Sequence, residues 1–105
     1  MAALTAGERH THRIPGFDLG NSPLEYTRDR VAGRVICSTT TNGTRALLST
    51  VAAPYRYVVA LLNLRATAAA ILARDPSSVD IVCAGSEGAP AAEDSACAEA
   101  LEALL

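Results

Sequence analysis

The sequence predicts an α/β fold, a three-layer sandwich around a largely parallel sheet, and three observations predict it. From about Gly33 onward one plan occurs three times: an apolar or β-branched run, a small polar loop, then an alanine-rich stretch suited to a helix. The apolar runs are almost continuously hydrophobic, as in strands covered on both faces. Every return between them is helical, which is the connection that parallel neighbours require.

Residues 1–32 differ in texture. They are rich in Gly, Pro, Asp, Asn and charge and poor in periodic apolar residues, so they read as one long functional loop. One short helix is expected at Pro23–Arg28, with Pro23 in its first turn and Ser22 as N-cap. Residues 33–105 hold the three strand-loop-helix units. The first is a strand at Arg34–Ser38, a loop at Thr39–Thr44 and a short helix through Arg45–Val51. The second is a strand at Tyr55–Leu62 and a helix that Asn63 caps and that Asp75 and Pro76 end. The third is a strand at Val79–Ala84, a loop through Asp94 and a closing helix through Leu104. Loops that follow parallel strands gather at the carboxyl ends, where open α/β sheets bind ligands.

Composition bounds the function. The chain has 105 residues, half of them hydrophobic and 19% charged, which suits one folded domain rather than a disordered segment. Nine basic residues, all arginine, stand against eleven acidic ones. That balance gives no field to draw nucleic acid or an anionic membrane. The apolar runs are too short to span a bilayer, and the residues after Met1 lack the pattern of a secretory signal, so a cytoplasmic location is expected. Cys37, Cys83 and Cys97 have neither zinc-site spacing nor an even count, and read as reduced, mostly buried thiols.

Three clusters carry candidate chemistry. The stretch from Gly16 to Tyr26 (GFDLGNSPLEY) places Asp18 and Glu25 in one tight loop, where they either cap turns or hold a cation. Thr40, Thr41, Asn42, Gly43 and Thr44 follow a strand and open a helix. Their hydroxyls and backbone N–H groups suit helix capping or an anion, and Arg45 is placed to grip a phosphate or carboxylate with two prongs. The GxxxxGK[ST] spacing of a P-loop is absent, as is a dinucleotide-binding glycine fingerprint. Past the third strand, Glu87, Glu93 and Asp94 share a loop. Glu93 reads as a complement to the last helix's N-terminus, and Glu87, between small residues, as a candidate ligand for a hard cation. His10 and His12 make an isolated H-x-H pair, a weak metal signal.

In order and spacing, Gly7-Glu8-Arg9, the Gly16–Tyr26 stretch, Thr40–Thr44 (TTNGT), and Ile81–Gly88 (IVCAGSEG) with Glu93 and Asp94 resemble the 2-phosphosulfolactate phosphatase family. The resemblance runs from about Gly7 to Cys97. It implies Mg²⁺-assisted hydrolysis of 2-phospho-3-sulfolactate to 3-sulfolactate and phosphate, on the route to coenzyme M. It implies Asp18, Glu25 and Glu87 as metal ligands, and Thr40–Thr44 with Arg45 as the phosphate cradle. Arg9 or Arg13 would meet the far end of a small phosphorylated acid, and water would be the nucleophile. A homo-oligomer is left open. Ala89-Pro90 stands where the family carries a bulky basic-aromatic pair. Members begin with a further α/β segment and continue well past the position of Leu105, so the fold is expected to be incomplete relative to the family. The rival reading is a truncated, non-catalytic anion-binding or scaffold fragment.

Overall fold

The computed structural model describes residues 2–105, which form a small α/β structure with a mixed three-stranded sheet. The chain divides into two compact units, Met1–Thr44 and Arg45–Leu105.

The first unit is built on β1 (Leu4–Arg9), which sits between β2 (His12–Arg13) and β3 (Ile36–Thr39). β1 pairs in parallel with β3, from Leu4↔Ile36 to Gly7↔Thr39, and antiparallel with β2 through Glu8↔Arg13 and Arg9↔His12. The middle strand therefore lies where the sequence suggested loop. Leu4 is its one large apolar residue, so no period-2 signal existed to reveal it. Its small residues serve close approach instead. A Cβ at Gly7 would stand 2.4 Å from the Thr39 carbonyl oxygen, inside contact distance. Ala6 and Leu19 are fully buried, and Leu19 adds a parallel bridge to Ala6 through Gly7 N–H to Leu19 O and Leu19 N–H to Thr5 O, both 3.0 Å.

Between β2 and β3 the chain makes a 3₁₀ turn at Pro23–Glu25 and a one-turn α1 (Arg28–Val31). Pro23 opens the 3₁₀ turn as expected, but the Ser22 side chain makes no capping bond. Tyr26 Oη donates to Gly20 O at 2.6 Å, and Arg30 donates to the carbonyls of Asp18 and Glu25, so the loop is stitched from within.

The second unit contains the packed pair α3 (Leu64–Leu72) and α4 (Ala92–Glu102), after α2 (Gly43–Ser49), within which the unit boundary falls. Its core is Ala68, Ile71 and Leu101, with Val59 and Leu64 half-buried against it. Asn63 precedes α3, yet its side chain turns backward: Oδ1 accepts from Ala60 N–H at 2.8 Å and Nδ2 donates to Val58 O at 3.0 Å. The helix ends at Leu72, and Asp75, three residues on, has a left-handed φ of 48° and an N–H that reaches Leu72 O.

The two other expected strands, Tyr55–Leu62 and Val79–Ala84, form no ladder among the described residues. Val58 is 72% and Leu62 93% exposed. A strand is defined by its neighbour, and apolar content alone supplies no backbone partner. The sheet is thus mixed, β1 running parallel to β3 and antiparallel to β2, and the parallel pairing expected among residues 34–38, 55–62 and 79–84 does not form among the described residues. Cys37 and Cys83 are exposed and Cys97 is half-buried, all as free thiols, which corrects the expectation that they are mostly buried. No helix of the described residues is long and apolar enough to cross a membrane.

Candidate functional site at the carboxyl ends of the parallel strands

β1 and β3 run in parallel and end together, and the groups beyond their carboxyl ends converge. After β1 the chain reverses through His10 and Thr11, with φ of 51° and 66°, a two-residue turn of the kind that suits hairpin twist. Thr11 is β-branched, so a left-handed φ there is a strained conformation that needs support. After β3 the chain enters Thr40–Thr44.

Glu8 joins these two loops. It is 8% exposed. Its Oε1 accepts from the Thr41 backbone N–H and the Thr41 hydroxyl, both at 2.7 Å, and its Oε2 accepts from Thr11 N–H at 3.1 Å. The Thr41 hydroxyl, then the two backbone N–H groups and the Arg9 charge, hold the Glu8 carboxyl below its usual range. Arg9 donates to the Glu8 carbonyl at 2.9 Å and to Thr39 Oγ1 at 3.4 Å, which keeps a guanidinium at the strand ends. Within the loop, Thr44 N–H donates to Thr40 Oγ1 at 2.9 Å and Thr44 Oγ1 donates to the Thr40 carbonyl at 3.2 Å.

The sequence-derived site residues sort as follows. Arg9, Thr40, Thr41, Asn42, Gly43 and Thr44 lie in the first unit, with the Thr40–Thr44 loop directly beyond β3. Arg13 and Glu25 meet as a half-exposed ion pair at 3.9 Å. Glu25 Oε2 also accepts from Gly20 N–H at 3.2 Å, and a Cβ at Gly20 would stand 2.6 Å from Glu25 Oε1. Asp18 Oδ2 accepts from the Thr5 N–H at 2.8 Å and the Thr5 hydroxyl at 2.9 Å, and these bonds lower its pKa, with the charge of Arg34 assisting. In this structure Asp18 and Glu25 each hold backbone in place. Arg45 is exposed on α2, in the second unit. Glu87 is exposed too, at φ 50° beside Gly88 at φ 84°, in a two-residue turn closed by the Ser86↔Ala89 bridge. Asp94, at the start of α4, accepts from Gly85 N–H at 2.7 Å, and His12 Nδ1 sits 2.7 Å from the His10 carbonyl.

Among the described residues no three His, Cys, Asp or Glu side chains come together to hold a metal ion. Of the carboxylates expected to hold Mg²⁺, Asp18 and Glu25 accept from backbone N–H groups in this structure. Sequence reasoning missed Glu8. The signal was present, because Glu8 stands inside the Gly7-Glu8-Arg9 motif, but no periodic apolar pattern marks β1 in the sequence, so nothing aimed Glu8 at Thr41. Tyr55 and Tyr57 bracket Arg74: its guanidinium lies 3.8 Å over the Tyr55 ring and its Nε donates to Tyr57 Oη at 2.6 Å.

The family model described as 2-phosphosulpholactate phosphatase matches residues 1–105. A "Probable 2-phosphosulfolactate phosphatase" of Synechococcus sp. (strain RCC307) is 48% identical over 104 residues, covering 98% of this chain and 42% of that protein. Proteins of the same name from Synechococcus sp. (strain CC9605) and Caldanaerobacter subterraneus subsp. tengcongensis are 48% and 51% identical, over 95% and 81% of this chain and 41% and 35% of theirs. The chain thus spans about 42% of the first of these relatives. With the family model covering every residue, the chain belongs to the 2-phosphosulpholactate phosphatase family.

Proposed function

We propose that this chain forms part of a phosphate-monoester hydrolase that converts 2-phospho-3-sulfolactate to 3-sulfolactate and phosphate, a step toward coenzyme M. Family membership over residues 1–105 carries the reading. The placement of Arg9, which donates to Thr39 at the end of β3 just before the Thr40–Thr44 loop, supports it, since guanidinium, hydroxyl and backbone N–H groups are the donors a phosphoryl group needs. In this reading the loop and Arg45 face the phosphate, and Arg9 or Arg13 meets the carboxylate or sulfonate. Water attacks phosphorus, the bond to the ester oxygen breaks, and that oxygen leaves as the sulfolactate hydroxyl after taking a proton.

Mg²⁺ belongs to the reading as the charge-neutralising cation, with Asp18, Glu25 and Glu87 as the carboxylates in question. No step is derived through it, because the described residues do not gather that set. A cytoplasmic location, a small phosphorylated acid as substrate, and the largely parallel three-layer sandwich are parts of the same reading.

The engagement of Asp18 and Glu25 with backbone N–H groups favours one second reading, a non-catalytic anion-binding or scaffold segment. The test is phosphate release from a panel of phosphorylated hydroxy acids with and without Mg²⁺, run on this chain and on the full-length Synechococcus RCC307 relative. Mg²⁺-dependent release by the relative, greatest with 2-phospho-3-sulfolactate, is expected, with little or none from the 105-residue chain. No release by the relative with any substrate would sink the phosphatase reading.

A further inference from the structure

The Thr41 donors that an anion loop would offer are already turned toward a carboxylate of the same chain. We propose that Glu8 is a positioning residue for the Thr40–Thr44 loop, fixing Thr41 from the end of β1 and coupling it to the His10–Thr11 turn. The inference rests on the reading of that loop as the phosphate-binding element.

Four observations carry it. Glu8 is nearly buried although it is charged, and such a group persists only when its oxygens are satisfied. Three donors satisfy it: two from Thr41, 33 positions away, and one from Thr11. The Thr11 donor belongs to a strained turn, which a bond to a carboxylate supports. The β1–β3 contact puts the two strand ends in register, with Gly7 opposite Thr39, so Glu8 and the loop are held by one rigid piece of sheet. A carboxylate with two oxygens in fixed places is a better locator than a single hydroxyl, because it takes donors from two loops at once. Arg9, His10, His12 and Arg13, the last directly across the ladder from Glu8, are the charged or titratable neighbours on the same hairpin.

The test uses the 105-residue chain. Thr41 and Thr11 amide resonances are followed by NMR from pH 7 downward in wild type, Glu8→Gln and Glu8→Asp, and each protein is then titrated with inorganic phosphate at pH 7. In wild type both amides are expected to shift together in one acid-side transition, which Glu8→Gln abolishes. Phosphate binding is expected to weaken about tenfold in Glu8→Gln, the loss of a charge-assisted pair of bonds, and to recover in part in Glu8→Asp, with Glu8→Gln unfolding at a lower denaturant concentration than wild type yet folded throughout the titration. Glu8→Gln does not shorten the side chain, so it guards against a variant that simply fails to fold.

Independent titration of the two amides would overturn the clamp. Unchanged or tighter phosphate binding in Glu8→Gln would overturn the positioning role, the latter by making Glu8 a competitor. Absence of phosphate binding by wild type would overturn the phosphate-loop reading and any functional role for the clamp, while the amide titration still decides the contact itself.

Discussion

The Glu8 carboxylate and Thr41, 33 positions apart, share two hydrogen bonds of 2.7 Å, one from the backbone N–H and one from the hydroxyl of the threonine. This pair joins the end of the central strand to the loop beyond its parallel neighbour. It depends on the close passage of β1 along β3, and that passage depends on Gly7.

Gly7→Ala is expected to destabilise the first unit by about 1–3 kcal/mol, the usual range for forcing one extra carbon into a packed contact. The new Cβ would meet the Thr39 carbonyl oxygen at 2.4 Å and the Thr39 Cγ2 at 2.8 Å, and backbone cannot swing aside as a side-chain tip can. A fall in the urea midpoint with an unchanged slope is the expected result. A variant as stable as wild type would mean that β1 and β3 are not held at this distance.

Acid should destabilise the chain. Glu8 and Asp18 both have folded pKa values below their ordinary 4.5 and 3.8. The unfolded chain therefore binds protons first as pH falls. Their contribution is fully present above the unfolded values and is lost as pH drops through the folded ones. The unfolding midpoint should fall on the acid side of about pH 4.5, and the double variant Glu8→Gln, Asp18→Asn should show a flatter acid limb. A flat limb in wild type would contradict both carboxylate contacts.

Leu101→Ala removes one of three buried residues from the core of the second unit. Truncations of buried leucine cost about 2–5 kcal/mol. With only Ala68 and Ile71 left beside it, the α3–α4 pair is expected to lose its cooperative thermal transition. Circular dichroism across a melt measures this, and an unchanged transition would show that the pair is held elsewhere.

Asp75→Gly should stabilise α3. The residue sits at φ 48° just past the helix, a conformation glycine adopts without steric cost. A gain of about 0.5–1 kcal/mol is expected, the scale of that penalty less the entropy glycine gives up. A lower denaturation midpoint for the variant would argue against the left-handed cap.

If Arg45 grips phosphate as the proposed function has it, Arg45→Lys in a full-length relative should lower phosphatase kcat/KM about tenfold or more, since an ammonium cannot reproduce a planar two-pronged contact. Its exposure in this structure means the folded state should be unaffected. Unaltered kcat and KM would remove it from the site.

The sequence by itself determined what local bonding determines. The α2 and α4 helices, the stop of α3 before Asp75 and the Pro23 turn all lie where helix propensity and turn chemistry put them. One parallel strand, at Ile36–Thr39, fell within two residues of its expected place. Tertiary structure alone decided the rest. Leu4–Arg9 has no periodic apolar signature and became the central strand because small residues there let β3 and Leu19 approach. Tyr55–Leu62 has the apolar signature and stayed unpaired, since no described segment gives it a ladder. The carboxylates followed the same rule: Asp18 and Glu25 were identified as chemically able, but their partners, Thr5 and Gly20, were set by folding. Glu8 stands out in the sequence only as part of the Gly7-Glu8-Arg9 motif, and its partner Thr41 is invisible at a separation of 33 residues. Helices and turns are encoded in bonds between near neighbours along the chain, whereas a strand or a buried carboxylate acquires its meaning from a donor that only the fold brings within reach.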